Sequence, residues 1–304
     1  MDWKQFSEAL RQCRWSWVLL SMALGVLVFY IRGCRWRMLL LPLDPAVSRT
    51  TCFNAYNICM AVNLAVPRAG EFARLGYVVK HSSRDASGAR LLSFDRSLGT
   101  LVVERIWDAI VVVAMGALLV AVKWESFGSG ALGGFAGLFS KAGLWIAAIS
   151  LLVVLTALVY LAWRFRDGFM SGIWAFIMGI AEGLKSFLHM KRWWVFLVMT
   201  ALIWFLYWIM SACIVWALAD IPAFAALDVW DAFFLMIAGS VSSVIPVPGG
   251  FGAYHGVVAG ALLSIWNIPM GTGMIFATLS HESQAVTQAL AGLVSYLYES
   301  FVRK

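Results

Sequence analysis

Runs of apolar residues with few charges recur from one end of the chain to the other, and they constrain the fold more than any other feature. In a chain of 304 residues that is 62% hydrophobic and 13% charged, too little polar surface remains to clothe a water-soluble domain. A bilayer core of roughly 30 Å takes about 20 residues of helix. Inside it every backbone N–H and C=O must be bonded internally, and a helix does this within one segment. The expectation is an all-α polytopic membrane protein, a single integral membrane domain over 1–304. About eight hydrophobic segments are predicted: Trp15–Ile31, Cys52–Pro67, Leu98–Val122, Ala142–Trp163, Trp193–Ala219, Ala232–Ile245, Ala253–Trp266 and Thr272–Tyr298. Halves 1–163 and 193–304 would be joined by an amphipathic stretch, 168–190, along the cytoplasmic surface.

The net charge of +7 sits between apolar segments, so it reads as loop charge and not as a nucleic-acid footprint. The stretches 68–96 and 164–192 are basic, whereas 219–231 holds Asp220, Asp228 and Asp231 and no Lys or Arg. By the positive-inside rule the basic loops are cytoplasmic, in the cytoplasmic or inner membrane, and the acidic loop lies outside. Arginines follow the first segment with no small-residue cleavage pattern, so that segment reads as an uncleaved helix. If the second segment and the sixth–seventh pair re-enter, five helices cross and the N-terminus lies outside; if all eight cross, it lies inside. Five scattered cysteines without a Cys-x-x-Cys pair fit packing better than a disulfide framework or a zinc site.

The second apolar run stops at NLAVPRAGEFAR. Pro67 removes a donor and disfavours helix at Val66, and Gly70 permits a sharp turn or a close backbone approach. Arg68, Glu71 and Arg74 stand at this break, with Asn57 and Asn63 just before it. Guanidinium groups grip phosphate in two-pronged fashion, and free N–H groups at a restarting helix would add to an anion site. The same arginines also read as flanking residues that reach for headgroups.

Glu104-Arg105-Ile106-Trp107-Asp108 stands early in the third segment. Glu104 and Asp108 share a helix face, and Arg105 can pair with Asp108. Either these charges face the protein interior, pairing with one another or with Arg68 or Arg74, or the helix starts at Ile106 and they lie at the interface. SVSSVIPVPGGFGAYHG (240–256) breaks a second helix, with Pro248, Gly249, Gly250 and Gly252 at the break and His255 beyond it. Such backbone is tolerated at membrane depth where it is buried or lines a wet cavity; a plain external hairpin fits the same residues. In the last segment His281, Glu282 and Gln284 form a polar stripe, read as cavity lining or as interhelical glue. A His-Glu-x-x-His metal motif fails because residue 285 is Ala285. Pro67 precedes Glu104 by 37 residues and Pro246 precedes His281 by 35. Broken segments at matching places in two halves fit an inverted repeat.

PRAGEFAR at 67–74, ERIWD at 104–108, PVPGGFG at 246–252 and RWRMLL at 35–40 together resemble the lysylphosphatidylglycerol synthase transmembrane family, in order, over essentially the whole chain. Its larger members join this membrane region to a soluble aminoacyltransferase, and the membrane part is regarded as a lipid flippase. This chain is similar to the stand-alone members that lack the transferase. The resemblance implies roles for Arg68, Gly70, Glu71, Arg74, Glu104, Arg105, Asp108, Pro248, Gly249, Gly250 and Gly252. Where the family often has a carboxylate a few residues after the glycines of PVPGGFG, this chain has Tyr254-His255. The expectation is therefore a translocator of a polar phospho- or glycolipid and not an enzyme, with a membrane lipid as partner and no cofactor, metal or nucleic acid. Self-association or pairing with a lipid synthase is consistent with that reading. The rivals are an intramembrane lipid-modifying transferase using Glu104, Asp108 or His281-Glu282 as acid and base, and a membrane subunit of a separate lipid synthase.

Overall fold

The computed structural model describes residues 3–122, 171–243, 245 and 247–302, with 152, 153, 156, 157, 159–161, 163 and 164 between them. Those residues are helical apart from turns and one isolated bridge, Arg84–Arg90, so the all-α expectation holds. The helices are α1 (Trp3–Gln12), α2 (Trp15–Leu40), α3 (Arg49–Ala65), α4 (Ala69–Lys80), α5 (Phe94–Val122), α6 (Ser171–Lys185), α7 (Trp193–Ala217), α8 (Val229–Ser242), α9 (Ala253–Trp266) and α10 (Met270–Phe301), with a 3-10 turn at Pro248–Gly250 before α9. Both α2 and α7 are long and apolar enough to cross a membrane. The expected segment Ala142–Trp163 lies mostly outside the described residues.

Several boundaries move. The first apolar helix does not end at Ile31 but runs on to Leu40, so Arg32, Arg35 and Arg37 are helical. The basic stretch 68–96 is helix as far as Lys80. The chain forms two compact units, 1–92 with 190–304 and 93–189. In the larger one, α7 packs on α2, and α10 packs on α2 and α3, across the sequence.

In the larger unit α2 and α7 run antiparallel. The Arg14 N–H donates to the Ala217 carbonyl at 2.9 Å, Trp17 meets Trp216 with ring centroids 4.8 Å apart, and Arg35 reaches Thr200. Helix α10 lies parallel to α2, joined where Gln284 donates to Ser21 at 3.1 Å. The bundle thus has an acidic end, where Arg14 clasps Asp220 at 2.5 and 2.7 Å, and a basic end at Leu40, Lys80 and Arg49.

Two hairpins enter this bundle from opposite ends. Helix α3 starts at the basic end, capped by Ser48, whose hydroxyl accepts from the Thr51 N–H at 3.0 Å. It stops because Pro67 forces Val66 into extended backbone, φ −130° and ψ 118°. Helix α4 then returns, and Tyr77 and His81 bond Glu299 near the end of α10 at 2.8 and 2.7 Å. From the acidic loop, Asp228 and Asp231 cap α8 reciprocally. The glycine turn follows, and α9 leads back to the start of α10. At 17 and 12 residues for α3 and α4 and 14 each for α8 and α9, none of the four reaches the roughly 20 residues of a full crossing. Both pairs leave and return at one end of the bundle.

In the smaller unit α6 packs on α5 through glycines. A Cβ on Gly183 would stand 2.7 Å from Gly99 Cα, so the two backbones approach as closely as small residues permit. Arg96 Nε and Glu182 Oε2 close the seam at 2.6 Å, and Trp107 stacks near Phe187 at 5.4 Å. Within the expected joining stretch, the described helix Ser171–Lys185 packs on α5.

Candidate functional site

The two hairpin tips meet. A Cβ on Gly249 would stand 3.2 Å from Leu64 Cδ2 at the end of α3, and Arg68 Nη2 donates to the Ser243 carbonyl, just past α8, at 2.8 Å. Both tips are built from left-handed backbone. Arg68 has φ 64°, and Gly249, Gly250 and Gly252 have φ 57°, 81° and 81°. Glycine occupies such angles freely, whereas a residue with a Cβ is strained there by roughly 1–2 kcal/mol. The chain holds an arginine in that basin, at the point where it reaches the other hairpin, and this backbone strain marks a candidate functional position.

Behind Arg68 the tip is tightly closed. The Gly70 N–H donates to Asn63 Oδ1 at 2.8 Å, and Asn63 Nδ2 donates to Glu71 Oε2 at 3.2 Å. A Cβ at Gly70 would collide with the Cys59 carbonyl and the Asn63 amide. One N–H expected to serve an anion at the start of α4 is thus taken by Asn63.

On the other tip the glycine turn rests on α10. His281 Nε2 donates to the Gly249 carbonyl at 2.8 Å, and the Phe251 and Tyr254 rings each lie 5.1 Å from the His281 ring. Tyr254 and Ser280 hydroxyls are 2.9 Å apart. Beside them His281 Nδ1 and His255 Nε2 approach the same carboxylate oxygen, Glu282 Oε1, at 3.1 and 3.3 Å. Among the described residues these three group their ligand-type atoms within 4.8 Å of one another.

Other expected residues stand elsewhere. Asn57 is buried and donates to Ser295 at 2.9 Å, and Gln284 bonds Ser21, so both join helices instead of lining the tips. Arg74 is fully buried, its guanidinium 3.8 Å from the Trp36 ring centroid and 5.3 Å from Tyr56. Glu104, Arg105 and Asp108 belong to the smaller unit. Helix α5 begins at Phe94, which removes the reading that it starts at Ile106. Glu104 and Asp108 lie on its buried face, 0% and 9% exposed, as their spacing of four predicts.

Two arginines of weight went unassigned in the sequence. Arg32 donates to Tyr207 at 2.9 Å, with its guanidinium carbon 5.6 Å from the Tyr56 ring centroid. Arg35, fully buried, lies 5.4 Å from the Phe196 ring centroid. With Arg74 they form a layer of cations on aromatic faces. The signal was available: Val28, Arg32, Arg35 and Leu39 recur at helical spacing and continue the buried stripe of α2.

The lysylphosphatidylglycerol synthase TM region family matches residues 1–292. The chain belongs to this family. Residues 1–292 take in both hairpin tips, the α5 charges and His281. Membership makes the protein a membrane protein of the lysylphosphatidylglycerol synthase type, associated with membrane lipid. No curated protein and no solved structure matches the chain.

Proposed function

We propose that the protein translocates a polar phospho- or glycolipid between leaflets of the cytoplasmic or inner membrane. The observation that carries this reading is the meeting of two half-length hairpins, one from each end of the bundle, with Arg68 spanning the gap to Ser243. Broken elements meeting between repeats are where transporters handle polar cargo at membrane depth. The headgroup passes the tips while its acyl chains stay in lipid. Arg68, exposed at the tip, takes phosphate, and Glu71 balances the charge or meets a cationic group. Alternating access follows from rocking of the two hairpins about α10.

In this reading the basic residues after α4, 81–96, and the basic stretch 164–192 lie in the cytoplasm, while Arg68 stands at the hairpin tip. The Arg14–Asp220 pair then puts the start of α2 on the outer side with the acidic loop. The protein has no chemistry of its own on the lipid.

The test is leaflet exposure of a fluorescent phospholipid in proteoliposomes. Arg68→Ala and Glu71→Ala each slow exposure at least tenfold on the proposed path; wild-type rates in both variants would refute it. Lipid product formed in detergent, with no sealed compartment, would favour a transferase.

A further inference from the structure

Around His281 the hydrogen-bond accounting calls for a cation. Its Nε2 faces the Gly249 carbonyl at 2.8 Å, and a carbonyl can only accept, so the proton sits on Nε2. A neutral imidazole then has a lone pair on Nδ1, and that lone pair points at Glu282 Oε1 from 3.1 Å. Two acceptors face each other, so a proton or a metal ion must stand between them. His81 stands in a similar arrangement with a single histidine: its Nδ1 lies 2.8 Å from the Tyr77 carbonyl and its Nε2 2.7 Å from Glu299. At His281 a third group converges, because His255 Nε2 lies 3.3 Å from the same oxygen. The His255 ring is nine-tenths buried, and its Nδ1 has no hydrogen-bond partner, so hydrogen bonding alone does not account for bringing it here.

We propose that His255, His281 and Glu282 form a binding site for a divalent transition ion of the zinc class. Bonds of about 2.0–2.1 Å in a tetrahedron put neighbouring ligand atoms roughly 3.3 Å apart; the two histidine nitrogens stand 3.1 and 3.3 Å from the Glu282 oxygen, and all three atoms lie within 4.8 Å of one another. Two imidazoles and a carboxylate are the donor set such an ion takes. The Nε2–H of His281, held by the Gly249 carbonyl, is the orienting contact a metal-bound histidine makes with its second nitrogen. Three protein ligands leave a fourth position for water or an anionic oxygen. The Glu282 side chain is 37% exposed while the two histidines are 10% and 13%, so the carboxylate side is the open one. The site stands on this geometry alone and is independent of lipid translocation.

The experiment uses the full chain in detergent, purified by a tag without histidines and stripped with a chelator, then titrated with Co²⁺. One equivalent producing visible absorption bands of four-coordinate intensity, displaced by Zn²⁺, is the expected result. His255→Ala and Glu282→Gln each weaken Zn²⁺ binding at least a hundredfold, whereas His81→Ala, which breaks the other histidine–carboxylate pair, leaves it unchanged. The absence of a saturable Co²⁺ signal in the wild type would overturn the proposal. So would folded His255→Ala and Glu282→Gln proteins that titrate like the wild type. If neither variant folds, the wild-type titration decides alone.

Discussion

Gly70→Ala and Gly76→Ala make the same chemical change on one helix and are expected to act in opposite directions. At Gly70 the added methyl would press into the Cys59 carbonyl and stand 2.7 Å from two atoms of the Asn63 side chain. The carbonyl belongs to α3 and cannot swing aside. The amide can, but only by giving up its 2.8 Å bond from the Gly70 N–H. Overpacking of this kind costs roughly 1–3 kcal/mol, and the lost bond adds about 1 kcal/mol. At Gly76 a Cβ meets nothing within 4 Å, so only helix propensity changes, a gain of up to about 1 kcal/mol. The two variants should therefore differ by roughly 2–5 kcal/mol. Equilibrium unfolding in mixed micelles, followed by tryptophan fluorescence, reads that gap directly. Equal shifts in the two variants, or a more stable Gly70→Ala protein, would mean that α3 and α4 do not close as tightly as described.

Arg68→Gly relieves left-handed backbone strain of about 1–2 kcal/mol while removing the bond to Ser243. The expected outcome is stability within about 1 kcal/mol of wild type and at least tenfold slower lipid exposure in proteoliposomes. Arg74→Lys keeps the charge but loses the planar stack on Trp36, and unfolding should show a loss of about 2 kcal/mol. The Asp220 carboxyl is held below its ordinary 3.8 by the hydrogen bond from Arg14. Its contribution is therefore complete above that value and fades as pH falls through and below it. Unfolding midpoints compared at pH 6 and pH 3 should shift slightly less in Asp220→Asn. Single cysteines placed at Ser7 and Ala223 should label from one side of the membrane, and one at Ser87 from the other. Labelling of all three from the same side would contradict the two-ended bundle.

What was legible in the sequence was local. Pro67 ends α3 by its own covalent geometry, the α9 bounds follow from the glycines that precede it, and the shared face of Glu104 and Asp108 needs only helical spacing. The meeting of Gly249 with Leu64 depends on a fold that brings residues 185 apart together, and no local rule encodes it. Arg32 and Arg35 look like flanking charges because an arginine after an apolar run usually is one. Their aromatic partners Tyr207 and Phe196 lie more than 150 residues away. Asn57 illustrates the converse: a polar residue in an apolar helix suggests a substrate contact until Ser295 is seen beside it.

The partners of the first hairpin have a consequence for biosynthesis. Asn57 waits 238 residues for Ser295, Tyr77 waits 222 and His81 waits 218 for Glu299. While the ribosome is still making the middle of the chain, these groups on α3 and α4 have not yet met their partners on α10. The hairpin can settle only when nearly the last turn of the final helix has emerged, so a chain that stalls before Ser295 leaves its first hairpin without a seat.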